Sequence, residues 1–351
     1  MLAGVVTVLT VALALAAEAA VRLRQYVKYG HLWGVEETYR VDPVSGLRIP
    51  VPNGEFGAIR INSDGFRGPE IELPKPAGTV RLAFLGASTT YCAEVSAEER
   101  TWPHLVWRAL ADRFPEVRFD YVNAGVPGYG LEDARASLER RVRRFDPDII
   151  FIYEATNDLS GNSFELARRQ GLVEQRTEQA LSWPSRWSLL WYLVEKNLMI
   201  RRQQAVAHSA AGKLAFEREE LARPFREDLR ELVQASREAA DLVVVITFAH
   251  QLRRDQSAQD QERAAVTSLY YMPYMSIDGL LEGFDAYNDV IREVATESGV
   301  LLVDGEDAIP GDPAHFTDSV HFTDQGSAAM GQRVAAALIR SPALAAIVEV
   351  R

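Results

Sequence analysis

One cysteine, Cys92, is all that the 351 residues contain. That excludes an intrachain disulfide and any zinc or iron–sulfur site built from several cysteines. Long basic runs are missing too, and 38 Lys+Arg face 49 Asp+Glu for a formal net charge of -11. A protein that grips nucleic acid by neutralising phosphates needs the opposite balance, so no DNA or RNA partner is expected. Neither the 23 glycines nor the 16 prolines are enough for a collagen-like or low-complexity chain. No repeat of the solenoid type is present. The chain has no Gly-x-x-x-x-Gly-Lys-Ser/Thr loop, and the glycines of Asn123-Ala124-Gly125-Val126-Pro127-Gly128-Tyr129-Gly130 are out of order for the dinucleotide fingerprint. His31, His104, His208 and His250 stand in no ligand spacing such as His-Glu-x-x-His, so neither a catalytic metal nor a cofactor is expected. What is present is apolar residue, 47% of the chain, in a length that can enclose a full core.

Residues 2–21 are broken only by Gly4, Thr7, Thr10 and Glu18, and about twenty helical residues cross a bilayer core. A retained anchor is favoured over a cleaved export signal with a site such as Ala17-Glu18-Ala19, because signal peptides open on a charge and this chain opens Met-Leu-Ala-Gly. A buried apolar helix is the third reading. Arg22, Arg24 and Lys28 follow the run, and the positive-inside rule alone would keep that flank cytoplasmic.

Residues 36–78 are rich in Pro, Gly and Asn and read as loops and small strands, an arm packed on the main domain. Beyond them, β-rich runs at 80–85, 119–123, 149–153, 242–248 and 300–303 alternate with helical stretches at 102–113, 131–144, 225–240, 284–297 and 325–339. Near-continuous apolar strands separated by helices imply an α/β fold, a parallel sheet of five strands covered on both faces in three α/β/α layers. The expected organisation is a membrane segment over 1–28, the arm over 29–79, and a domain over 80–345 with a helical insertion at 159–224. In that insertion Trp183, Trp187 and Trp191 recur every fourth residue, which on a helix places three indoles on one face. They either pack onto the domain or serve a membrane-interface or substrate-facing role.

Ligands of open parallel sheets gather at the carboxyl ends of the strands. The first strand ends in Gly86-Ala87-Ser88-Thr89-Thr90, which lifts Ser88 to the start of the next helical segment. Ser88 is there a candidate nucleophile or a simple helix cap. At Gly125 a backbone N–H could approach a substrate oxygen unobstructed. The third strand ends in Glu154-Ala155-Thr156-Asn157-Asp158: the Asn157 amide can donate to an oxyanion, and Asp158 suits a cap on the following turn. Near the carboxyl end, Asp312-Pro313-Ala314-His315 and Asp318-Ser319-Val320-His321 have the same spacing, and either aspartate could orient its histidine as a base. The second pair is preferred because His321 directly precedes the last helix, which Thr323 or Asp324 can cap.

In this order, the strand–Gly-x-Ser turn, Gly125, Asn157-Asp158 and Asp318-x-x-His321 resemble the SGNH/GDSL hydrolase superfamily over about residues 80–340. The resemblance implies a flavodoxin-like sheet and an acyl-serine mechanism: Ser88 as nucleophile, His321 as general base, Asp318 orienting it, and an oxyanion hole of Ser88 N–H, Gly125 N–H and the Asn157 side chain. Two positions depart from the usual pattern, Ala87 in place of Asp and Ala155 in place of Gly. The start of the chain through Glu18-Ala19-Ala20-Val21-Arg22-Leu23-Arg24, with the arm's Asn62-Ser63-Asp64-Gly65-Phe66-Arg67-Gly68, is similar to membrane-tethered bacterial members. That similarity implies a membrane-anchored, extracytoplasmic catalytic domain. The expected activity is serine-dependent hydrolysis of carbohydrate or lipid O-acyl esters, with an acylated glycan among the substrates considered. The alternatives are an O-acyltransferase using the same residues on a cell-envelope glycan, or a catalytically inactive membrane-tethered scaffold.

Overall fold

The computed structural model describes residues 2–29, 38–173, 182–208 and 213–350. Residues 30–37 of the expected arm, His31 among them, lie outside the described residues, as do the side chains of Lys28 and His208. Helix α1 (Leu2–Tyr29) opens the chain. In the arm, β1 (Tyr39–Val41) pairs antiparallel with β2 (Arg48–Pro50), and β3 (Glu55–Phe56) with β4 (Ile59–Arg60). The main domain runs β5 (Thr79–Gly86), α2 (Ser88–Tyr91), α3 (Trp102–Arg113), β6 (Arg118–Asn123), α4 (Leu131–Ser137), β7 (Ile149–Tyr153), α5 (Thr156–Arg169), α6 (Leu189–His208), α7 (Arg218–Arg237) and β8 (Leu242–Ile246). It ends with α8 (Ala258–Ala264), α9 (Val266–Tyr271), α10 (Ile277–Ser298), β9 (Leu301–Val303), α11 (Asp324–Ile339) and α12 (Pro342–Glu349).

Strands β5 to β9 form one parallel sheet in the order β6-β5-β7-β8-β9. Every residue of β5, β7 and β8 is buried, because helices cover both faces and no strand face is left to water. Helices α3 and α11 pack together on one side, while α4, α7 and α10 pack in succession on the other. Phe84 of β5 anchors the core: it stacks on Phe151 at 4.5 Å and meets the Trp102 edge at 5.2 Å. Burying one such ring is worth about 1.5–3 kcal/mol, and each ring pair adds about 0.5–1.5 kcal/mol. The chain leaves β5 for β6 on one side and returns to β7 on the other, so the topological switch lies at the carboxyl ends of β5 and β7.

Several elements differ from the sequence reading. The helical path after Leu131 widens into a π-turn at Leu138–Val142 and closes as a 3-10 turn at Arg143–Phe145. Helix α7 begins at Arg218 and carries Pro224 inside it, held by seven buried residues that include the apolar stripe Leu221, Phe225, Leu229 and Leu232. Residues 159 and 224 therefore both fall within helices. The three tryptophans do not share one helical face. Trp183 opens a 3-10 turn (Trp183–Arg186) containing Pro184, Trp187 follows that turn, and Trp191 belongs to α6. The break arises because Ser188 starts a new helix, its Oγ accepting from the Trp191 N–H at 3.0 Å.

The arm packs on the main domain. Leu47 and Ile49 form a small apolar cluster with Val126 and Tyr129, whose hydroxyl donates to the Arg48 carbonyl at 2.8 Å. Deeper still, the arm inserts Arg67, which is 1% exposed.

Candidate active site

Ser88 is the first residue of α2, directly beyond β5. Two close approaches fix this turn. A Cβ on Gly86 would come within 2.7 Å of the Tyr153 carbonyl and closer still to the Thr90 hydroxyl. A Cβ on Gly125 would lie 2.7 Å from the Tyr91 nitrogen and 3.0 Å from the Ala87 carbonyl. Both positions must be glycine for β7 and the β6–α4 loop to close on the serine turn. The N-cap of α2 is Ala87, so the Ser88 hydroxyl does not cap the helix. It points instead to His321, with Oγ 2.8 Å from Nε2.

His321 and Asp318 lie on the loop between β9 and α11. Asp318 Oδ2 is 2.8 Å from His321 Nδ1, and Oδ1 accepts the N–H groups of Val320 and His321, each at 2.9 Å. With both oxygens engaged, the carboxylate holds the ring and defines its tautomer as Nδ1–H, leaving Nε2 to accept from Ser88. Thr323 caps α11 by accepting from Gly326 N–H at 3.2 Å, while Asp324 turns away to Ser96.

The first Asp-x-x-His pair has the same local form. His315 Nδ1 is 2.8 Å from Asp312 Oδ1, which also accepts the N–H groups of Ala314 and His315. Its outer nitrogen meets Gln325 Nε2 at 3.1 Å rather than a serine. The two repeats are bridged at Phe316 and Phe322, and the Thr317 N–H donates to the His321 carbonyl. Only His321 reaches Ser88.

Asn157 stands in the first turn of α5, its Nδ2 donating to the Tyr129 carbonyl at 2.7 Å. The Gly125 N–H donates to Asn123 Oδ1 at 3.1 Å. Asp158 does not cap its own turn; its Oδ1 accepts the Leu131 N–H at 3.0 Å and so serves the start of α4. Burial, only partly opposed by that bond, pushes the Asp158 carboxyl up to about 7. Beside it Glu154, fully buried, is held well above the carboxylate range by desolvation and by the Asp158 charge, against the pull of the Ala155 backbone N–H. Among the described residues no group of three or more His, Cys, Asp or Glu could hold a metal. His250 is stacked on Phe284, and burial drives its imidazole down to about 3. Burial likewise pushes the Cys92 thiol up to about 12.

Burial alone would lower the His321 pKa, but the Asp318 hydrogen bond and the charges of Glu94 and Asp318 raise it above its ordinary 6.5. Burial also works against the Asp318 carboxylate, yet its bonds to His321 and the backbone hold it below the usual range. Glu94 is exposed to water but crowded by neighbouring atoms, which raises its own carboxyl while His321 opposes the rise.

Three contributors escaped the sequence reading. Arg67 Nη1 donates to the Tyr91 and Cys92 carbonyls, both at 2.6 Å, and its Nε pairs with Glu98 at 2.9 Å. A buried cation from the arm thus satisfies the carboxyl end of the helix that begins at Ser88. Asn123 ties the same turn from the sheet side, its Nδ2 donating to the Thr90 carbonyl at 3.1 Å. Glu94 is the third. The motif around Arg67 was visible in the sequence, but nothing local linked it to a helix more than twenty residues away.

A family model for the GDSL-like lipase/acylhydrolase family matches residues 84–329. Among curated proteins no sequence matches the chain. Of solved structures, the chain is similar to LAE5, an alpha/beta hydrolase enzyme from the metagenome of Lake Arreo, Spain, at 18% identity and a TM-score of 0.45, covering 74% of this chain and 94% of that one. It is also similar to Axe2, an acetylxylan esterase from Geobacillus stearothermophilus, at 20% identity and a TM-score of 0.42, covering 74% and 93%. The family match spans most of the chain and contains the serine turn, the Asn157 turn and the loop of Asp318 and His321, and on it the chain belongs to the GDSL-like lipase/acylhydrolase family and is an ester-hydrolysing enzyme.

Proposed function

We propose that the chain is a serine esterase that cleaves O-acyl esters of carbohydrate or lipid through an acyl-Ser88 intermediate, held at a membrane by α1 with its catalytic domain outside the cytoplasm. The observation that carries the catalytic reading is the unbroken series Ser88 Oγ, His321 Nε2, His321 Nδ1, Asp318 Oδ2, with both hydrogen-bonded gaps at 2.8 Å.

His321 Nε2 takes the hydroxyl proton as Ser88 Oγ bonds to the ester carbon and the carbonyl electron pair moves onto oxygen. The oxyanion is met by the Ser88 N–H, by the Gly125 N–H shared with Asn123 Oδ1, and by the Asn157 amide proton not committed to Tyr129. One such donor is worth about 3–4 kcal/mol. Collapse of the intermediate expels the alkoxide, which takes the proton from Nε2–H. Water, deprotonated by the same nitrogen, then releases the acid and restores Ser88.

A fluorophosphonate probe tests the assignment. The native chain is expected to carry one phosphonyl group, and peptide mass mapping should place it on Ser88. No label, or a label on another residue, overturns the proposal.

The base must be neutral to accept a proton, so its raised pKa places the acid limb of kcat/KM above the ordinary histidine value of 6.5. Glu94→Gln removes one of the charges that raise it. The limb is expected to move to lower pH with its plateau kept, as read from the pH profile of aryl-ester hydrolysis. A limb that stays in place or moves to higher pH would exclude Glu94 as a tuning charge.

A further inference from the structure

Glu18 lies on α1 but reaches across to the insertion. Its carboxylate accepts the backbone N–H groups of Leu189 and Leu190 at 3.0 and 2.9 Å and the Ser188 hydroxyl at 2.8 Å, so it caps α6 from another helix. Arg22, one turn further along α1, pairs with Glu18 at 2.6 Å and donates to the Trp187 carbonyl at 2.9 Å.

The depth of this latch follows from helix geometry. Gly4–Val27 is apolar enough to cross a membrane, with mean hydropathy 2.1, and Val5, Val8, Leu9, Leu13 and Leu15 are all more than half exposed. Counting from residue 2 at 1.5 Å per residue, Glu18 stands about 24 Å along a core about 30 Å thick, within roughly a turn or so of its boundary. Trp187, joined to Arg22 through its carbonyl, and Trp183 and Trp191 beside it are 65%, 72% and 48% exposed. The Trp191 Nε1–H bonds to Ser182 Oγ at 3.0 Å, so its polar atom is already satisfied. Indoles favour the layer where one side is apolar and the other wet, and a cluster of exposed large apolar side chains marks an interaction surface.

We propose that Trp183, Trp187 and Trp191 are embedded in the interfacial layer of the bilayer that α1 crosses, with the Glu18 cap on α6 setting their depth. The inference rests on reading α1 as a retained anchor. It gives the insertion a role distinct from packing on the domain or lining the substrate site: it sets the height of the catalytic domain above the lipid.

The test uses the full chain in phosphatidylcholine vesicles, with and without bromine at positions 6 and 7 of the acyl chains. The combined variant Trp183→Phe, Trp187→Phe, Trp191→Phe keeps Trp33 unchanged and retains Trp102 and Trp107, which pack in the domain, as internal reference. Both proteins are expected to float with the vesicles and to hydrolyse a soluble aryl ester equally, and the fraction of tryptophan emission quenched by bromine should fall at least twofold in the variant. Equal quenching in two floating proteins overturns the inference and spares the anchor. Failure of the wild-type chain to float overturns the anchor and the inference with it. Loss of soluble-ester hydrolysis with unchanged quenching would assign the tryptophans to substrate. Glu18→Leu should float with reduced quenching, and quenching at the wild-type level would refute the latch.

Discussion

Replacing Ser88 by Ala is expected to lower kcat for a short aryl ester by about 10⁴- to 10⁶-fold, the range for loss of a nucleophile in a serine–histidine–aspartate system. The substitution removes one oxygen whose hydrogen bond goes to His321 Nε2. The loss of that bond should cost stability only about 0.5–1.5 kcal/mol. The thermal midpoint is therefore expected to move by a few degrees at most, so a folded but inactive protein is the outcome to look for. Retention of more than about one per cent of the wild-type kcat in a folded Ser88→Ala chain would mean that bond cleavage does not pass through an acyl-serine, since a nucleophile is worth far more than that.

His321→Ala is expected to match that loss, because no other described side chain stands against the Ser88 hydroxyl to take its proton. His315→Ala should leave kcat within a few-fold of wild type, since its ring bonds to Asp312 and Gln325 and not to the serine. The paired comparison is the informative one. Both substitutions remove an imidazole held at Nδ1 by an aspartate three residues earlier, so a nonspecific structural effect would appear in both. Steady-state kinetics on the two variants, with circular dichroism to check the fold, decide the matter. If His315→Ala is the inactive variant, the base has been assigned to the wrong histidine.

The family resemblance carried over from residues to chemistry unevenly. Gly125 packs against the serine turn, yet its N–H is engaged by Asn123, and one Asn157 N–H is engaged by Tyr129. In the proposed mechanism the oxyanion shares these donors with their present partners. Gly125 is also required for a plainer reason: a Cβ there would run into the backbone of Ala87 and Tyr91. Asp158, which the sequence suggested as a local cap, reaches across to α4 because its own turn at α5 directs the side chain toward the free Leu131 N–H. The tryptophan spacing implied one helical face, but Pro184 and the Ser188 cap divided it into a 3-10 turn and a separate helix. In each case local periodicity or spacing was a poor guide to what the side chain meets.

Sequence by itself determined the alternation of buried strands and helices, and hence the parallel sheet, because a strand covered on both faces must be apolar at every position and that pattern is local. It also determined the two Asp-x-x-His loops, since a carboxylate three residues before a histidine can bond its ring and backbone within one turn. Only the tertiary structure decided which of the two histidines meets Ser88, 233 residues away from His321 along the chain. It alone brought Arg67 under the serine helix and Glu18 to the start of α6. Such contacts join distant segments through the order of strands and the packing of helices, and neither is encoded in the spacing of neighbouring residues.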